Sequence, residues 1–137
     1  MINRHDLCIG NWVYDGDKTQ FPMFIRAIGE DYVYLDFEGN KGDLFESTPE
    51  ELQGIPITED LLSKLGFTGF GYGIWNKIQQ ARKIAINLEA DFTAIDARRD
   101  RLYDSRCSCH GVKYLHQLQN LFYVIAKEEL KFDIKWN

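Results

Sequence analysis

The run Tyr32-Val33-Tyr34-Leu35-Asp36-Phe37 constrains the fold of this chain more than any other feature. A two-residue period puts Val33, Leu35 and Phe37 on one face and Tyr32, Tyr34 and Asp36 on the other, the signature of a strand with a core side and a wet, aromatic side. Strand signals also precede it. Ile9-Gly10-Asn11-Trp12-Val13-Tyr14 is one, and in Met23 to Ile28 the residues Met23, Ile25 and Ala27 alternate with Phe24, Arg26 and Ile28. Asp15-Gly16-Asp17, Gly29-Glu30-Asp31 and Glu38-Gly39-Asn40-Lys41-Gly42 separate these runs, and an Asp-Gly pair suits the positive φ of a tight hairpin. Short strands between glycine turns within about 50 residues predict an SH3-like small β-barrel module over residues 1–56.

Residues 57–137 read as an α+β module. Thr48-Pro49-Glu50-Glu51 offers a cap, a proline at the first helical position and a capping-box glutamate, but Gly54 leaves room for one turn only. Thr58 is a stronger N-cap, with Glu59 and Asp60 on the positive end of the dipole and Gly66 as the terminator, predicting a helix over 58–65. The glycine-rich, aromatic stretch 66–73 reads as a seam between modules. Strands are expected within 74–106. Ile84, Ile86 and Leu88 alternate inward, and Phe92 to Ala97 answers them across the Glu89-Ala90-Asp91 turn. From Tyr114 the period becomes helical, with Tyr114, Leu115, Leu118, Leu121, Phe122 and Ile125 within about 120° of arc, predicting a helix over 114–129. Leu130, Phe132, Ile134 and Trp136 then alternate as a closing strand over 130–136. The fold class is α+β, mainly antiparallel β: the small barrel followed by a β-β-β-α-β module, or one continuous domain.

Composition supports a packed core, since 45% of the 137 residues are hydrophobic and 14% aromatic. Neither an apolar leader nor a membrane-length apolar run is visible, and Cys8, Cys107 and Cys109 are an odd count with a poor spacing for pairing. Reduced thiols point to a cytoplasmic location. The net charge is −5. Residues 1–73 hold 5 Lys/Arg against 13 Asp/Glu, whereas residues 74–113 hold 8 against 5. An anionic partner is therefore expected only on the second stretch.

Three stretches carry a resemblance: Asp6-Leu7-Cys8-Ile9-Gly10-Asn11-Trp12-Val13; Ile55-Pro56-Ile57-Thr58-Glu59-Asp60-Leu61-Leu62 with Gly66-Phe67; and Leu115-His116-Gln117-Leu118-Gln119-Asn120-Leu121-Phe122 with Glu128-Glu129-Leu130. In order along the chain, they resemble a family of short, functionally uncharacterised proteins of gut-dwelling bacteria and their phages or mobile elements. The resemblance implies a cellular context and no mechanism. The chain departs from that family at Cys8 and at Ser105-Arg106-Cys107-Ser108-Cys109-His110.

Four groups of side chains are candidates for function. His116, Gln119, Asn120 and Tyr123 share the polar face of the 114–129 helix, where they either grip a ligand or partner or tie down a neighbouring loop. Arg98, Arg99, Arg101 and Arg106, with Tyr103 among them, are suited to phosphate contact and base stacking, or else form a solvated strand end diluted by Asp100 and Asp104. Cys107-x-Cys109-His110 with His116 is a poor zinc set because the one-residue gap resists tetrahedral closure. Trp12, Tyr14, Tyr32 and Tyr34, among acids, suit a peptide or basic protein, or are buried. No phosphate loop, nucleophile elbow or zinc-protease motif is present, and Gly69-x-Gly71-x-Gly73 lacks the setting of a dinucleotide loop. The sequence therefore predicts no catalytic residue, no metal and no cofactor. It predicts a non-enzymatic interaction or ligand-binding module, an accessory protein of a phage or mobile element with a protein partner or small ligand. A nucleic-acid-associated protein using 98–106 is the alternative.

Overall fold

The computed structural model describes residues 2–16, 21–69, 71, 74–79, 82–87, 93–98, 107–109, 112–134 and 136. The fold is mixed α+β and mainly antiparallel, with two five-stranded sheets among the described residues. The chain forms two compact units: Met1–Pro56 with Tyr114–Asn120, and Ile57–Lys113 with Leu121–Asn137. The stretch 66–73 lies inside the second of these.

In the first unit, β1 (Trp12–Tyr14), β2 (Pro22–Ile28), β3 (Val33–Asp36), β4 (Phe45–Ser47) and β5 (Gln53–Gly54) form an open sheet in the order β4-β3-β2-β1-β5. Alternation works as the sequence suggests at Val33 and Leu35, both fully buried, while Tyr34 and Asp36 are half-buried. Ile2, Leu7, Val13, Met23, Ile25 and Leu52 complete this core, with Phe37 against it. Complete burial of each Val, Ile or Leu contributes about 1.5–3 kcal/mol. The pairing slips between Ile25 and Ala27, so that Arg26 is the extra residue of a bulge and Ile28, not Ala27, lies opposite Val33. Thr48 makes no side-chain cap. The expected turn of helix is a 3-10 turn, Pro49–Glu51, and Glu51 instead accepts a hydrogen bond from Ser47 Oγ at 3.4 Å.

In the second unit, helix α1 (Glu59–Lys64) starts where Thr58 Oγ1 accepts the Leu61 N–H at 3.1 Å. It ends at Gly66, whose φ of 89° lets Phe67 N–H reach the Leu62 carbonyl and Gly66 N–H the Ser63 carbonyl. The strands β6 (Thr68–Gly69), β7 (Ile74–Gln79), β8 (Arg82–Asn87), β9 (Thr93–Arg98) and β10 (Cys107–Cys109) pair antiparallel in the order β10-β9-β8-β7-β6.

Helix α2 (Leu115–Ala126) buries Leu115, Leu118 and Phe122, as the helical period requires. The strand expected over 130–136 is absent among the described residues: Leu130 and Ile134 are buried, yet the segment joins no ladder. Alternating burial in an extended segment does not need a strand neighbour. Here the Lys131 carbonyl is met instead by the Lys77 ammonium.

Candidate functional site

The start of α2 is fixed within the first unit by backbone. Pro56 and Tyr114 form an isolated antiparallel bridge, and Leu115 N–H donates to the Ile55 carbonyl at 2.9 Å. Gly54 sits beneath the Tyr114 ring so closely that an added Cβ would stand 2.5 Å from Tyr114 Cγ. Glycine is used there for contact, because only a backbone without a side chain lets the ring down onto β5.

Two of the sequence candidates then act as clamps on the N-terminal segment. Gln119 Oε1 accepts the Trp12 N–H at 2.9 Å, and its Nε2 donates to the Gly10 carbonyl at 3.2 Å. Asn120 Nδ2 donates to the Asp6 carbonyl at 2.8 Å, while its Oδ1 accepts from Asn11 Nδ2 at 2.8 Å. Asn11 Oδ1 in turn accepts the Cys8 N–H at 2.9 Å. Both amides spend donor and acceptor on their own unit, which is the loop-tying alternative for this face.

His116 is different. It is 2% exposed, its Nδ1 has no hydrogen-bond partner, and its ring stacks on Tyr114 with centroids 5.9 Å apart at 12°. Burial lowers its pKa to about 4 against the opposing attraction of Asp6, so the ring is neutral at pH 7. Tyr123 belongs to the second unit and is 57% exposed.

Beside His116 the first unit holds a cavity of about 300 Å³. The N-terminal turn contributes Asn3 and Asp6 to its wall, β5 contributes Gln53, and the head of α2 contributes Tyr114, His116 and Gln117. With His116 neutral, Asp6 is the one charged residue among the described residues of the wall. Among the described residues the wall has no Ser, Thr, Cys or Lys. Sequence reasoning missed Asp6 and Gln53, because nothing local joins residues 6 and 53 to residue 116, and it placed Tyr114 on the apolar stripe of the helix.

The other candidates resolve unequally. Arg99, Arg101 and Arg106 lie outside the described residues, and Arg98 is described only as a backbone position paired with Arg82 across β8 and β9. Cys107 and Cys109 are backbone positions on β10, opposite Asp96 and Ala94, and His110 lies outside the described residues. Cys8 is exposed. Among the described residues no three His, Cys, Asp or Glu side chains converge as a metal site, and no helix is long and apolar enough to cross a membrane. Of the aromatic set, Trp12 packs on Phe24 with centroids 5.2 Å apart, and Trp12, Tyr14 and Tyr34 are half-buried; Tyr32 is exposed. Comparison with known proteins finds no matching family model, curated protein or solved structure.

Proposed function

We propose that this protein is a non-enzymatic binding module that takes a small ligand bearing an ammonium or guanidinium group in the cavity between Asp6 and His116. The cavity wall carries the reading. A single carboxylate among neutral hydrogen-bonding groups attracts a cation, and about 300 Å³ lies at the small end of ligand pockets. An imidazole with a pKa of about 4 is a weak base at pH 7, and the described wall residues offer no hydroxyl or thiol nucleophile beyond the Tyr114 phenol. The strand order β4-β3-β2-β1-β5, with a 3-10 turn before β5, supports reading this unit as an SH3-like small barrel. An accessory role in a phage or mobile element rests on the three resembling stretches, and the genes beside this one test it.

Titration of the whole protein with alkylguanidinium and alkylammonium probes, followed by amide chemical shifts, tests the binding reading. The expected result is movement at Gln53, Tyr114 and His116 that Asp6→Asn removes. Equal response to alkylcarboxylates, or turnover of the ligand, overturns it.

A further inference from the structure

The core face of the first sheet runs beyond its cover. Ile25, Leu35 and Phe45 pair in one row across β2, β3 and β4, and directly opposed residues share a face. Ile25 and Leu35 are fully buried, yet Phe45, on the edge strand, is 44% exposed. The two-residue period puts Phe37 on the same face beyond Leu35. Phe37 joins the exposed rings into one surface: Phe21 meets it edge-on at 5.7 Å and Phe45 meets it tilted at 5.9 Å. Phe21 is 46% and Leu44 41% exposed. A contiguous exposed aromatic surface marks a place of contact more often than a scattered hydrophobe does.

Charge around the rings selects the contact. Glu38 follows Phe37, and Asp43 precedes Leu44-Phe45; both are exposed, and among the described residues their carboxylates have no hydrogen bond or ion pair, whereas Glu46 pairs with Tyr34 on the opposite face. Lys41 is the one cation between residues 37 and 47. The same sheet already holds a cation between a ring and a carboxylate: the Arg26 guanidinium lies 5.8 Å over Phe24 and 3.6 Å from Asp36. Finally, among the described residues β4 pairs with a strand only on its β3 side, and an edge strand is where an extended chain can add as a further strand.

We infer that the Phe21-Phe37-Phe45 surface docks an extended, arginine-bearing segment of a partner protein along β4, with guanidinium groups over the rings and Glu38 and Asp43 as counter-charges. This surface is separate from the cavity and stands without it. A polyanion is excluded by the same acids, since phosphate would meet them instead of a basic groove.

The test is fluorescence anisotropy of the full chain with a labelled peptide of about ten residues alternating Arg with Ser. Matched peptides carrying Leu or Glu in place of Arg serve as controls. The Arg peptide is expected to bind, the Glu peptide to fail, and the Leu peptide to bind more weakly. Phe45→Ala is expected to weaken the Arg peptide about threefold to tenfold, and the pair Glu38→Lys with Asp43→Lys at least as much, and both losses are expected to persist in an Asp6→Asn background, where the cavity has lost its carboxylate. The charge pair leaves the rings in place, so it decides the matter even where Phe45→Ala fails to fold. No binding of the Arg peptide at low salt, equal binding of the Leu peptide, or indifference to the charge pair overturns the inference.

Discussion

Asn11 and Asn120, 109 residues apart in sequence, meet amide to amide at 2.8 Å, and each uses its remaining amide group on backbone, at Cys8 and Asp6 respectively. Asn11 is buried, so truncating either partner strands polar groups away from water. Asn120→Ala is expected to lower unfolding stability by about 1–3 kcal/mol, and Asn11→Ala by a similar amount. In urea unfolding, the double variant is expected to lose clearly less than the two single losses combined, a coupling of about 1 kcal/mol. Simple additivity would show that the pair does not act as a unit.

Gly54→Ala forces a methyl against the Tyr114 ring at a distance no Cβ tolerates. Overpacking of this kind costs about 1–3 kcal/mol, and thermal unfolding is expected to show it. Introduced into a Tyr114→Ala background, the same alanine is expected to cost much less. An equal cost in both backgrounds would place the strain elsewhere.

The buried His116 makes stability depend on pH with a defined sign. Its folded pKa is about 4 against 6.5 for the free side chain, so the unfolded chain binds the proton more tightly between these values. The full stability is present above about pH 6.5 and declines as pH falls toward 4, by up to about 3 kcal/mol from this residue. His116→Gln, which has no titrating ring, is expected to flatten that part of the curve, measured as urea midpoints from pH 4 to 7. An unchanged slope in the variant would assign the effect to other groups.

Lys77 is a clamp in the second unit. Its Nζ donates to the Leu65 carbonyl at 2.6 Å and to the Lys131 carbonyl, and burial lowers its pKa. Lys77→Met keeps the stem and removes the donors, and is expected to cost about 1–3 kcal/mol. Amide exchange from Leu130 to Ile134 is expected to quicken in the variant; exchange as slow as in the wild type would show that burial of Leu130 and Ile134 suffices.

Local patterns anticipated much of the fold. Thr58 and Gly66 bound α1 because capping and the αL stop are decided within a few residues of chain, and Val33-Tyr34-Leu35-Asp36 forms a strand because alternation alone assigns its faces. The bulge at Arg26 was not legible, since it is a property of the β2–β3 pairing and not of either strand. The closing segment misled for a similar reason: Leu130 and Ile134 alternate and are buried, but alternation reports burial and cannot supply a ladder partner.

The candidate site divides along the same line. The sequence by itself determined that His116, Gln119 and Asn120 would stand on the polar side of a helix, because 100° per residue is a local rule. Only the tertiary structure decided what they do. It brought Gly10, Trp12 and Asp6 to Gln119 and Asn120, turning two candidate ligand contacts into clamps, and it set Asp6 and Tyr114 beside His116. Hydrogen-bond partners, burial and the resulting pKa depend on groups scores of residues away, and a one-dimensional pattern carries no distance between them.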